Sequence, residues 1–60
     1  MTDRERLLEA LKHEEVAVRL YRQYEREAQD ERLREMFEQF AMNERWHAAA
    51  IRAKLQKMGD

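Results

Sequence analysis

Two glutamates and a histidine stand where a helical sequence would place apolar residues, and between them they have the donors of a metal site. Glu14 falls on the stripe Leu7, Leu11, Val18, Tyr21. Glu44 and His47 fill the two places between Phe40 and Ile51 on the stripe Leu33, Phe37, Phe40, Ile51, Leu55, Met58. An ionised carboxylate buried without a partner is very costly, so three such interruptions in 60 residues require an explanation. Glu44 and His47 are three apart and share one helix face. Carboxylate oxygens with imidazole nitrogen suit iron and manganese, and zinc or cobalt can substitute. Glu-x-x-His alone is a weak motif, and its weight here depends on Glu14 lying at the same level.

The elements that would bring the three together are two helices. The chain has no proline, one glycine near its end, and 42% charged residues, and its Ala, Leu, Glu, Arg and Gln favour long helices. Thr2 or Asp3 can cap a start, with Glu5 in the first turn. The first stripe, continued without a break, would run into Arg32, Glu35 and Gln39, all polar. The apolar series that resumes at Leu33 is one residue out of phase. A turn at 29–30, with Asp30 capping the second helix, accounts for the slip. The expected domain is therefore one antiparallel hairpin over residues 1–60, with helices 3–28 and 31–58. About a turn centred between residues 29 and 30, Glu14 faces Arg45 and lies between Glu44 and His47 in height, roughly 22–26 Å from the turn.

Two helices cannot bury an apolar face of this width, and a chain this short usually needs a staple. With no cysteine, disulfides and zinc–thiolate sites are excluded. A homodimer forming a four-helix bundle is the simplest remedy. It doubles the donors to four carboxylates and two imidazoles, the ligand set of di-iron and di-manganese bundles. Two divalent ions, two iron per dimer, balance the carboxylate charge. Thirteen acids against twelve bases, mixed along the chain, leave no basic stripe for nucleic acid and no polybasic face for a membrane. No apolar run spans a bilayer and the N-terminus is too polar for a signal peptide, so the expected compartment is the cytoplasm.

On Glu14-x-x-Ala17-x-x-x-Tyr21 and on Glu44-x-x-His47 followed by Ala48 and Ala49, the chain resembles the ferritin-like superfamily. The run from Asn43 to Ala49 looks like the second half of a rubrerythrin or ferritin hairpin, and the resemblance covers residues 7–58. Those proteins carry two hairpins per chain. A single hairpin is most similar to encapsulated ferritins, whose site forms only between two subunits. The resemblance implies a ferroxidase that oxidises Fe(II) to Fe(III) for iron storage or detoxification. Glu44 would bridge two metals, Glu14 would be the terminal carboxylate, His47 the terminal nitrogen ligand, and Tyr21 a residue beside the ligands. It also implies higher oligomers of dimers and residence in a protein nanocompartment (an encapsulin shell), although no C-terminal helix or docking tail follows Asp60 in these residues.

The blander readings stand beside this one. The hairpin would be a structural dimerisation module whose acids reach solvent, or a metal-binding mini-bundle without catalysis. Tyr21 would pack in the core as readily as donate to a ligand carboxylate. Tyr24 and Trp46 read as rim or interface packing, Met36, Met42 and Met58 as ordinary packing, and His13 and Glu15 as solvated. The sequence holds no Ser/His/Asp set and no glycine-rich phosphate loop.

Overall fold

The computed structural model describes residues 1–59, which form two α-helices: α1, Asp3–Glu27, and α2, Glu31–Met58. Each start is capped by the residue type that backbone chemistry favours. The Thr2 hydroxyl accepts from the Glu5 N–H at 3.1 Å while the Glu5 carboxylate accepts from the Thr2 N–H at 2.7 Å, a reciprocal box that satisfies two orphan donors. Asp30 accepts from the Leu33 N–H at 2.9 Å. Gly59, at a φ of 63°, follows the last turn of α2 in the left-handed region that glycine adopts without strain.

The first helix stops at Glu27, one residue short of the expected end. The Ala28 N–H still bonds back to Tyr24, but Ala28 is already extended. The Arg34 guanidinium holds the Ala28 carbonyl at 2.8 Å, closing the turn with a side chain where no glycine or proline is available.

The body measures 45 × 17 × 11 Å, and its least dimension is about one helix diameter. Among the described residues only Ala41 and Ala48 are buried, at 0% and 2% exposure, and no large side chain is. These alanines are seven apart, two turns of α2, and let the backbones approach closely. Phe40 and His47 precede them by one residue each, about 100° around the helix, and so fall to the flank of the seam. The expected stripe through Phe40 and His47 is corrected by that rotation: the seam runs along Phe37, Ala41, Glu44, Ala48, Ile51 and Leu55, the less exposed positions of α2. On α1 the half-buried set includes Leu7, Leu11, Glu14, Val18, Tyr21 and Glu25, and Ala28 continues it just past the helix end.

The two broad sides of the hairpin differ. On one, Leu33, Met36, Phe40 and Tyr24 remain 37–49% exposed. The other is charged, and Arg52 bonds Glu15 across the helices at 2.7 Å. Glu15, expected in solvent, is thus a cross-helix partner, because its offset of about 100° from Glu14 places it on the flank that Arg52 reaches. Among the described residues no helix is long and apolar enough to cross a membrane.

Candidate metal centre

Aromatic packing near the turn sets the register of the site. Tyr21 stacks on Phe37 with centroids 6.2 Å apart, and Phe40 meets Tyr21 edge-on at 5.4 Å. Tyr24 closes on Phe37 at 5.3 Å. Seven residues back along α1 and seven forward along α2, each about two turns, the Tyr21–Phe37 pair becomes Glu14 and Glu44. By the same step the closer Tyr21–Phe40 pair becomes Glu14 and His47, so Glu14 stands at the height of the α2 turn that begins at Glu44.

His47 lies one turn further on. Its Nδ1 is 3.1 Å from a Glu44 oxygen and 3.4 Å from a Glu14 oxygen. One ligand atom from each of Glu14, Glu44 and His47 can be chosen so that all lie within 4.8 Å of one another. Both glutamate side chains are largely covered, at 22% and 23% exposure, whereas His47 is 57% exposed. His47, expected on the inward stripe, closes the cluster from its open edge, since Ala48 takes the seam.

The electrostatics of this cluster are unlike those of the acids that arginine neutralises. Asp3, Glu15, Glu25 and Glu31 each hold an arginine at 2.7–3.2 Å. Among the described residues, neither Glu14 nor Glu44 has an ion-pair contact with lysine or arginine; only His47 faces them. The buried Oε2 of Glu14 has no hydrogen-bond partner. Its 3.4 Å contact with His47 is within Coulombic range but lacks hydrogen-bond geometry, and Nδ1 already engages Glu44. An orphaned anionic oxygen, a second carboxylate and an imidazole nitrogen form a donor set that a divalent cation would satisfy, so the residues fit a metal.

Tyr21 lines the adjoining groove of about 210 Å³ with Phe40, Asn43, Glu44 and His47. In this hairpin its hydroxyl makes no hydrogen bond to either glutamate; its contacts are with the two phenylalanine rings. Asn43 is the lining residue that a reading of apolar stripes misses. Its position three after Phe40 and four before His47, which puts all three on one face, was the signal available, and its side-chain oxygen accepts from Gln39 at 3.0 Å. His13 is exposed, with Glu9 at 4.0 Å. The groove opens on the side that carries the uncovered aromatic and aliphatic residues.

Comparison with known families matches residues 5–60 to the family described as Rubrerythrin. No curated protein and no solved structure gives a match.

Proposed function

The chain belongs to the rubrerythrin family, a family of iron-binding carboxylate proteins, and from that premise we propose that it is a ferroxidase whose di-iron site is completed by a second copy of the hairpin. The observation that carries this reading is the convergence of Glu14, Glu44 and His47 with an anionic oxygen left unpartnered. One hairpin supplies two carboxylates and one imidazole, too few to surround two ions. Its groove is open beside the uncovered apolar side. A two-fold pairing across that side buries Phe40, Leu33 and Met36 and brings up a second set of donors.

In this reading Fe(II) is the substrate. Each ion gives one electron and leaves as Fe(III); the two electrons, with two protons from water, turn dioxygen into hydrogen peroxide or hydrogen peroxide into two waters. Glu44 serves both ions, while Glu14 and His47 each hold one. The carboxylates favour the product, because anionic oxygens attract the more highly charged ion more strongly. The Tyr21, Phe37 and Phe40 rings hold the helices in register and exclude water from one side of the groove. Storage or detoxification of iron, and the single-hairpin arrangement expected from the likeness to encapsulated ferritins, belong to this proposal.

The test is anaerobic Fe(II) titration of chelator-stripped protein with mass followed in parallel. Two Fe(II) per dimer, tighter association with metal and rapid oxidation on admitting air support it. Normal iron oxidation by Glu44→Ala would overturn the site. One observation favours a purely structural dimer: the exposed aromatic side would pair whether or not metal is present. That reading predicts a dimer indifferent to iron.

A further inference from the structure

α2 carries a second exposed feature that neither the seam nor the metal groove uses. Trp46 is 77% exposed and Met42 50%, and with Arg45 and Ala49 they line a shallow hollow. The metal groove is lined by a different set of residues, so the two surfaces can be occupied together. Among the described residues Trp46 is the most exposed large apolar side chain. Tryptophan, methionine and arginine are the side chains that concentrate at protein interfaces.

The charges along the same face say what covers it. Glu35 lies eleven residues before Trp46 and Lys57 eleven after. Eleven residues are about three full turns, so Glu35, Trp46 and Lys57 lie in one line along the helix with the indole at its midpoint. The acids of α2 are Glu31, Glu35, Glu38 and Glu44, and none falls between Arg45 and Met58. The first half also holds Arg32 and Arg34, of which Arg34 is engaged with Glu31 and the turn. Neither Glu35 nor Lys57 has a partner among the described residues. The line is thus acidic at one end, basic at the other and aromatic in the middle, which is complementary to itself when reversed.

We propose that a second copy of the chain docks here, α2 against α2, antiparallel about a two-fold axis near Trp46. Each Glu35 then meets the Lys57 of the other copy, and Met42 comes opposite the alanines that follow Trp46. The indoles lie close to the Arg45 guanidinium groups, a favourable cation–π arrangement. The contact is isologous. Combined with a two-fold pairing across the metal side, it builds assemblies of four chains or more.

The experiment is native mass determination on the full chain, iron-free and iron-loaded, with helicity and iron stoichiometry measured on every variant. The wild type is expected at four chains or more. Trp46→Glu should at least halve that mass, with helicity and iron bound per chain unchanged. Glu35→Lys and Lys57→Glu should each weaken association at least tenfold at low ionic strength, and the double reversal should restore it. If the metal-side pairing does not exist, the masses fall instead from two chains to one and the iron stoichiometry fails separately. An unchanged mass in Trp46→Glu, which leaves the patch to a foreign partner or to solvent, overturns the proposal. So does failure of the double reversal to recover the wild-type mass.

Discussion

Two stretches of one seam, separated by about two helical turns, are built on opposite terms. Near the turn, Tyr21, Tyr24, Phe37 and Phe40 meet at centroid distances of 5.3–6.2 Å, and such pairs add stability beyond the area they bury. In the middle, Glu14, Glu44 and His47 converge with two carboxylates facing one imidazole and a buried oxygen unmatched. The first stretch is held by the hairpin's own contacts. The second is positioned by the first, through the shared seven-residue step, and is not satisfied by it. A site that binds a cation needs this division: rings that fix the geometry, and donors whose mutual repulsion the cation relieves.

The largest effect is expected when the second stretch is made to resemble the first. Glu14→Leu removes the orphaned carboxylate and extends the apolar stripe of α1. Metal affinity should fall by at least about 100-fold, beyond the roughly 10–100-fold typical of losing an outer hydrogen-bond partner. The metal-free protein should become more stable, by about 1 kcal/mol, because a half-buried acid with one buried, unpartnered oxygen is replaced by a hydrocarbon. Isothermal calorimetry and thermal melts of the stripped protein check the two signs. A destabilised metal-free variant would mean that His47 already satisfies Glu14.

The converse change acts on the first stretch. Phe37→Ala removes the ring that touches Tyr21, Tyr24 and Phe40. The expected loss is about 2 kcal/mol, below the ~3–5 kcal/mol of a fully buried phenylalanine because Phe37 is half-exposed. In a chain of this size that lowers Tm by roughly 10 °C. Metal binding should weaken yet persist below the new Tm, since all three donors remain. Abolished binding with unchanged stability would show that the ring acts on the metal and not through the register.

These contrasts also explain what could be read in the sequence. The two helices were legible because the apolar pattern slips phase at one place, and because Asp30 is a side chain that caps. Glu14, Glu44 and His47 stood out because each breaks a stripe of large apolar residues. The position of the seam was not legible, since a stripe is read from large side chains whereas two helices in close contact meet at small ones. Ala41 and Ala48 carried little weight beside Phe37, Phe40 and Ile51, although their spacing of two turns marks the line of closest approach. The displacement of His47 to the open edge has the same origin. The Glu15–Arg52 pair was hidden for another reason: nothing in local spacing relates residues 37 positions apart until the register is known.

The smallest expected effect lies outside both stretches, at the start of α1, and for that reason it isolates what the two stretches do. Hydrogen bonds from Thr2, first its backbone N–H and then its hydroxyl, hold the Glu5 carboxyl below the usual carboxylate range, while slight desolvation acts the other way. A depressed folded-state pKa contributes stability that is complete above the unfolded value and is lost as the pH falls through the folded one. The contribution of Glu5 is therefore present at neutral pH and disappears in the acid range below it. Glu5→Gln keeps an acceptor for the Thr2 N–H, since either residue completes a capping box, but removes the titration. Its Tm should nearly match the wild type at pH 7 and decline less on acidification. Iron stoichiometry should not change, because the cap touches neither the rings nor the donors. A variant that loses iron binding would show that the helix start helps set the height of Glu14, and the register could then no longer be assigned to the aromatic stretch alone.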